Sequence, residues 1–331
     1  MSTVRISPSP LQPEHRYESI GEPPHRRRRI PCDGRDTGGV SRGPHDLTTT
    51  ISGGLTVPAE QIRRLSSTVE KQDEVDALHD LRVAVRTTRA LLRLYRPVMK
   101  SGPTSRLDAE MRWVARTLGD VRELDVVAEV VVSNLAVLGK RHYGLWAMSR
   151  LLDERHRARR RLVVVLGSDR YRDARCALDE MTSAPPIRRS VRQVDPREEV
   201  VRLAAVQWSR LVDAVNELGA VPEDDALHRA RLLAKRARYA ADAVASTTDA
   251  SARQLAIRLS RVQDVLGSHQ DAVAARNWLD VMARDSADVD EAFVLGEVAG
   301  LLRAEQQRLR GEWPEVWRAA ARPKLRRWMA P

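Results

Sequence analysis

Apolar positions recur along residues 76–96 with the spacing of one face of a helix. This stretch contains no proline or glycine and few β-branched residues, which favours a continuous helix. Side chains at alternating steps of three and four residues form a mostly apolar stripe, which we expect to face a core. The stripe consists of Leu78, Leu81, Val85, Thr88, Leu92 and Tyr95.

A basic stripe follows the same steps, one residue later along this helix. Its members are His79, Arg82, Arg86, Arg89 and Arg93. One residue turns a helix by about 100°, so the basic stripe lies beside the apolar stripe, whereas an ordinary helix has its charges on the far face, interleaved with acids. No acidic residue occurs between Arg82 and Arg96. Cations along about 21 Å of helix would repel one another unless an anion lies among them.

The basic stripe occurs a second time, about 149 positions later, and both copies are preceded by the letters DALH. Aligning the two histidines also aligns the cations that follow them. The second stripe consists of His228, Arg231, Lys235 and Arg238. Each stripe is followed by a second matching block, LGDVRELDV at 118–126 and LGSHQDAV at 266–273. We therefore expect an internal duplication of about 150 residues per half.

These paired blocks, with GSDRYRDA at 167–174 and the closing RPKLRRW at 322–328, resemble the CHAD family, the conserved histidine α-helical domain. The resemblance runs from Pro58 to Trp328. It implies two four-helix bundles related by a pseudo-two-fold axis, with a basic channel between them that binds inorganic polyphosphate. Two positions depart from the family pattern: Glu123 stands where Asp is common, and Gln270 stands where the second half should have Arg. Equal charge in the two halves is therefore not expected.

The fold class predicted is all-α, with two four-helix bundles related by duplication and a disordered N-terminal tail. Residues 1–57, rich in Arg, Pro and Gly, are the predicted tail, because they lack apolar periodicity. Residues 58–183 form the first predicted bundle, 184–196 the linker with its adjacent prolines, and 197–331 the second bundle. A helix is predicted to begin at Pro58, and the valine-rich run 126–132 is interpreted as helix rather than strand.

Composition agrees with an anionic partner. The formal net charge is +11 with a sequence pI near 10.4, while aromatic residues make up only 4%. Two cysteines give neither a disulfide framework nor a CxxC metal motif. The N-terminus has no apolar leader and no run of 18 apolar residues occurs, so we expect a cytoplasmic protein without membrane segments. The resemblance adds attachment to polyphosphate granules.

Arginine in both stripes offers a planar fork of donors that matches phosphate oxygens, and Lys235 adds a compact charge. Arg122, three residues after Gly119, is expected to face the same channel, the alternative being an ion pair with Glu123 or Asp125. The two histidines are expected to contact phosphate. The alternative is that each imidazole, at the start of its helix, forms its hydrogen bonds with the backbone. Weaker candidates, equally compatible with a solvated surface, are Arg112, Arg116, Arg157 and Arg160.

No catalytic residue, metal site or cofactor is predicted. The sequence contains no P-loop, G-x-S-x-G or H-E-x-x-H motif, nor the E-x-E-x-K of the triphosphate tunnel enzymes to which CHAD relatives are fused. Metal binding by His79, Asp80, Asp125, His228, His269 and Asp271 would require close approach of the halves. The leading hypothesis is non-catalytic polyphosphate binding. The alternatives are a nucleic-acid-binding, nucleoid-associated protein and, third, an enzyme that hydrolyses polyphosphate.

Overall fold

A computed structural model describes residues 46–191, 193–245 and 250–329. Within these ranges the chain forms nine α-helices and three short 3-10 segments, and no strand, which confirms the all-α prediction. The first five helices are α1 Leu47–Lys71, α2 Val75–Tyr95, α3 Ser101–Val137, α4 Leu145–Leu166 and α5 Asp169–Ser183. The last four are α6 Pro196–Asn216, α7 Asp224–Ala245, α8 Ala250–Asp285 and α9 Val289–Ala320.

Helix α1 begins eleven residues before the predicted start at Pro58. The side chain of Asp46 accepts a hydrogen bond from the backbone N–H of Thr49 at 2.8 Å and caps the helix. Leu47, Ile51 and Leu55 are buried, so the apolar spacing continues upstream through the glycines at 53 and 54. The predicted tail is therefore wrong for residues 47–57, because buried apolar contacts outweigh the helix-breaking tendency of Gly and Pro. The prediction for residues 1–45 lies outside the described residues.

The apolar stripe of α2 is buried along its whole length, as predicted. Ala84 and Leu91 widen the buried face. Because the apolar stripe is fixed against the core, the neighbouring basic stripe is directed to one side of the bundle, towards α7, with which α2 is in contact. The valine-rich run lies inside α3, so the helical interpretation is confirmed.

Three clusters of apolar side chains hold the described helices together. The first is built mainly from α1 to α5 and the second from α6 to α9. The third lies where the C-terminal half of α3 and the start of α4 pack against the C-terminal half of α8 and the start of α9. Val131 and Leu279, both fully buried, come from different halves of the chain and lie in this third core. The two halves are thus joined by apolar packing as well as by the chain.

The segment between α5 and α6 is packed against the α2–α3 connection. Ile187 is buried and forms an isolated bridge with Met99, and Arg188 donates from Nε to the carbonyl of Met99 at 2.8 Å. These bonds fix the point at which the first half passes into the second. The division into two bundles at residues 183 and 197 stays a prediction. No described helix is both long and apolar enough to cross a membrane.

Candidate functional site

The contact of α2 with α7 brings the two basic stripes towards each other. Four of their cations influence one another most strongly and are here called the central cluster: Arg82 and Arg86 from α2, and Arg231 and Lys235 from α7. Each lies on the stripe that its helix directs beside its buried apolar face. The charges of these four side chains, two from each repeat, act on one another.

Charge within the central cluster is poorly compensated. Burial, followed by the charges of Arg86 and Arg231, lowers the pKa of Arg82 to about 10. Burial and four neighbouring arginines, of which Arg86 acts most strongly, lower the pKa of Lys235 to about 6. The surroundings of Lys235 therefore favour its neutral form, and protonating it without a bound anion costs free energy.

Several donors of the cluster have no partner. The Nε atoms of Arg82, Arg86 and Arg231 are buried and make no hydrogen bond to any described residue. Buried donors are nearly always satisfied in folded proteins, and each orphaned donor costs about 1–3 kcal/mol. An anion with several acceptor oxygens would satisfy these groups, so their orphaned state points to a ligand.

Helices α3 and α8 border the cluster with residues of the second repeated block. Arg122 of α3 lies close enough to His79 that its charge, after burial, lowers the histidine pKa. Asp125 forms its ion pair with Arg155 at 2.5 Å, and Arg122 forms no ion pair with a described residue. The equivalent contact in the second half is a hydrogen bond from Nδ1 of His228 to Oε1 of Gln270 at 3.1 Å.

One carboxylate lies inside the cationic site. Asp271 of α8 is influenced by Arg231, Arg122 and Arg82, while burial raises its pKa above the ordinary value. Glu123, the residue at the matching position of the first repeat, is exposed on α3. Asp271 is thus a carboxylate whose charge acts on Arg82 and Arg231 of the central cluster.

Carboxylates pair with the far ends of the stripes. Arg89 and Arg93 both donate to the carboxylate of Asp108 on α3, at 3.2 and 3.3 Å. Arg238 pairs with Asp242 at 3.0 Å along α7. Ion pairs are therefore found at the ends of the stripes, whereas the four cations of the central cluster form none with a described residue.

The weaker candidates lie outside the central cluster. Arg112 is half exposed and reaches Asp108 at 3.7 Å, and Arg116 is exposed on α3. Arg157 and Arg160 are exposed on α4. Arg157 lines a cleft between α3, α4 and α8 that also contains acidic side chains. Arg112 therefore meets the end of the α2 stripe, since it shares Asp108 with Arg89 and Arg93, whereas Arg116, Arg157 and Arg160 form no ion pair with a described residue.

Comparison of the chain with known proteins identifies its family. A family model described as the CHAD domain matches residues 58–280. The chain belongs to the CHAD domain family. Two solved structures share the fold: PptA from Streptomyces chartreusis, and the CHAD domain from the plant Ricinus communis. PptA has a TM-score of 0.71 and is 23% identical in sequence, and the match covers 82% of this chain and 99% of PptA. The plant CHAD domain has a TM-score of 0.67 and is 22% identical, and the match covers 84% of this chain and 92% of the plant domain.

Two curated relatives come from Mycobacterium tuberculosis, the uncharacterized proteins MT2285 of strain CDC 1551 and Rv2226 of strain H37Rv. Each is 27% identical to this CHAD protein over 251 residues, or 73% of the chain. The chain spans 47% of the length of each, about half.

Sequence reasoning missed several residues that shape this CHAD site. Asp108 is remote in sequence from the arginines with which it pairs, so no motif connects them. Asp271 was considered only as a metal ligand, whereas its neighbours are cations. Arg236, one residue after Lys235, lies near Arg93 and Arg210, and burial followed by these charges lowers its pKa. The pattern of apolar and basic positions in the sequence does not indicate which side chains Asp108, Asp271 and Arg236 meet.

The histidine of the second repeated block has a structural contact. Buried His269 lies with its Nε2 3.2 Å from Nε of Arg310, which donates to it. Arg310 also donates to the carbonyl of Pro222 at 2.7 Å and to Asp224. This arrangement fixes the start of α7, and with it the direction of the second basic stripe. Among the described residues, no group of three or more His, Cys, Asp or Glu side chains is placed to hold a metal ion.

Proposed function

We propose that this protein binds inorganic polyphosphate, without converting it chemically, among the cations that α2 and α7 direct towards each other. The observation that carries the proposal is the central cluster, Arg82, Arg86, Arg231 and Lys235, with its orphaned arginine donors. A chain of phosphates supplies negative charge and acceptor oxygens at every repeat. Successive helical turns rise about 5.4 Å, so one extended polyanion can engage several turns of both helices.

Aromatic residues favour polyphosphate over single-stranded nucleic acid. Proteins that bind single strands commonly stack bases on exposed aromatic rings. Tyr95 and Tyr239, the aromatic residues of α2 and α7, are only 2% and 7% exposed. The guanidinium of Arg238 also lies 4.3 Å from the ring centre of Tyr239. Neither ring is available to a base, whereas a phosphate chain needs no stacking surface.

Calorimetric titration of the full chain with long-chain polyphosphate tests this function. The test variant is Arg82→Glu/Arg231→Glu, and the matched control is Arg253→Glu/Arg303→Glu, which changes net charge equally at exposed positions of α8 and α9. We expect the test variant to lose about 100-fold or more in affinity, because a buried charge contact is typically worth 2–5 kcal/mol. The control should lose much less, through long-range charge alone.

Single-stranded DNA of matched charge separates the two binding functions. Equal binding of DNA and polyphosphate, or equal losses in both double variants, would leave only general positive charge and move nucleic-acid binding to first place. Release of phosphate from polyphosphate in the presence of Mg²⁺ or Mn²⁺ would replace the binding function with hydrolysis. We extend the proposal to a cytoplasmic location on polyphosphate granules, where the Arg82→Glu/Arg231→Glu variant should fail to co-localise with the polymer.

A further inference from the structure

Lysine is rare in this protein. The sequence contains five lysines and 51 arginines. Lys71, Lys100 and Lys324 are exposed, and Lys140 donates to Glu297 Oε2 at 2.5 Å. The fifth lysine, Lys235, stands where the first repeat has Arg86, in the middle of the central cluster. A single amine is thus placed among guanidinium groups in the part of the site with the least counter-charge.

The surroundings of Lys235 favour its neutral form. The groups that act on it most strongly are Arg82 and Arg86 from α2 and Arg231 and Arg238 from α7, all of them cations. No described acidic side chain forms an ion pair with it. A neutral amine is a nucleophile, and a lysine placed next to other cations is activated in this way, whereas arginine stays protonated.

We propose that Lys235 is a modification site, acylated by small acyl phosphates that the central cluster holds by their phosphate group. This inference rests on the proposed affinity of the cluster for phosphate. An acyl phosphate combines the two features that the site recognises: a phosphate for the guanidinium forks, and an electrophilic carbonyl for the amine. The orphaned Nε donors of Arg82, Arg86 and Arg231 are the groups that would bind that phosphate.

The reaction is a simple acyl transfer. The lone pair of Lys235 Nζ attacks the carbonyl carbon, and a C–N bond forms. The C–O bond to phosphate breaks, and inorganic phosphate leaves with the bonding pair. One amine proton passes to solvent, and the product is a neutral amide. The neighbouring guanidiniums stabilise the charge that develops on the leaving phosphate.

Acylation would also change the site. A lysine amide can no longer gain a proton when a polyanion arrives, and the acyl group occupies space in the cluster. Polyphosphate binding should therefore weaken after modification, so that small acyl phosphates regulate occupation of the site by the polymer.

Incubation of the full chain with acetyl phosphate at pH 7.5, followed by peptide mass spectrometry, tests the inference. The exposed Lys71 and Lys324 serve as internal references within the same molecule. We expect Lys235 to be acetylated about tenfold faster than either reference, with inorganic phosphate or polyphosphate protecting it. p-Nitrophenyl acetate, which carries no phosphate, should give a smaller preference for Lys235, because only the neutral amine and no phosphate contact then favours this lysine. Acetylation of Lys235 at or below the rate of the references, or equal preference with the neutral ester, would overturn the inference.

Two variants and one parallel titration complete the test. Arg231→Gln should slow acetylation of Lys235 several-fold, and Arg303→Gln on the exposed face of α9 should leave the rate unchanged. Polyphosphate affinity is measured on the same samples. Normal polyphosphate binding without selective acetylation overturns only the modification site. Selective acetylation without polyphosphate binding supports the modification site and overturns the proposed polymer function.

Discussion

Nδ1 of His228 lies 3.1 Å from Oε1 of Gln270, whereas the matching positions of the first repeat carry His79 and Arg122. The two contacts differ in kind. The amide oxygen of Gln270 accepts a hydrogen bond from His228, whereas burial and then the charge of the Arg122 guanidinium lower the pKa of His79. A single residue difference between the repeats therefore gives the two ends of the site different charge.

Replacing Gln270 by arginine should restore equal charge to the halves. We expect Gln270→Arg to bind polyphosphate more tightly at low salt and to steepen the dependence of log affinity on log salt by about one. Loss of the His228 hydrogen bond should cost about 1 kcal/mol of unfolding free energy. Titration over a series of salt concentrations measures the slope. Gln307→Arg, at an exposed position of α9, is the control and should leave the slope close to that of the unmodified protein.

Asp271 competes with an incoming anion for the same cations. Removing its charge in Asp271→Asn should therefore tighten polyphosphate binding about tenfold, or about 1.4 kcal/mol. The free protein should not lose stability, because burial outweighs the attraction of Arg231, Arg122 and Arg82 and raises the pKa of Asp271, so that its charged form is disfavoured in the folded state. Asp285→Asn, at the exposed end of α8, serves as the matched control. Weaker binding by Asp271→Asn would instead mean that this carboxylate holds the guanidiniums in place for the ligand.

Gly267 is positioned directly against the cluster. A methyl group at this position would lie 3.5 Å from Nε and 3.6 Å from Nη2 of Arg231, which is ordinary contact. Gly267→Ala should keep polyphosphate affinity and stabilise the helix by about 1 kcal/mol. Gly267→Leu needs the space of the Arg231 guanidinium and should weaken binding about tenfold or more. Thermal unfolding measures the stability of both variants, and titration measures their affinity for polyphosphate. Equal polyphosphate affinities of Gly267→Ala and Gly267→Leu would show that the position of Arg231 is unimportant.

Polyphosphate binding should take up protons above pH 6. The pKa of Lys235 is about 6 in the free protein, and a bound polyanion must raise it. Between pH 6 and the raised pKa, affinity should fall as pH rises, with His79 contributing in the same direction because its pKa is also lowered. Calorimetry at pH 7.5 in two buffers of different ionisation enthalpy measures the uptake. Lys235→Arg should reduce it, and unchanged uptake in this variant would exclude Lys235 as the source.

The same lysine should destabilise the free protein. Its folded pKa lies below the ordinary value near 10.4, so the unfolded chain binds more protons between about pH 6 and 10. Its contribution to stability therefore rises with pH across that window. Lys235→Met should raise the unfolding free energy at pH 7.5 by about 1 kcal/mol or more, and flatten its pH dependence. Urea unfolding in phosphate-free buffer measures both effects. The Lys235→Met variant should also bind polyphosphate more weakly than the unmodified protein.

The basic helices could be predicted because their basic stripes repeat over about four turns in α2 and about three turns in α7. Burial of Leu81 and Val85 fixes the rotation of α2, and rotation alone places Arg82 and Arg86 beside the core. The start of α1 could not be predicted in the same way. Two adjacent glycines and a proline hide a periodicity that becomes clear only when Leu55 has a packing partner.

The pairing of carboxylates with the stripe ends also required the structure. Asp108 lies 15 residues after Arg93 and on another helix, so their contact depends on the angle at which α3 leaves α2. Asp271 lies within a predicted motif, but its effect depends on its distance from Arg82 and Arg231, which belong to two other helices. Sequence periodicity indicates where a side chain points from its own helix and carries no information on which neighbour it meets.

The third core has a consequence for the origin of the duplication. Its buried side chains come from both repeats, since Val131 of α3 and Leu279 of α8 lie in one cluster. A single repeat on its own would leave that apolar surface in water and would present one basic helix without its counterpart. On the duplication that the sequence predicts, a one-copy ancestor would need a second copy to bury this surface. The two halves would then correspond to the joined subunits of a dimer, in which Gln270 and Lys235 differ from Arg122 and Arg86 at the matching positions.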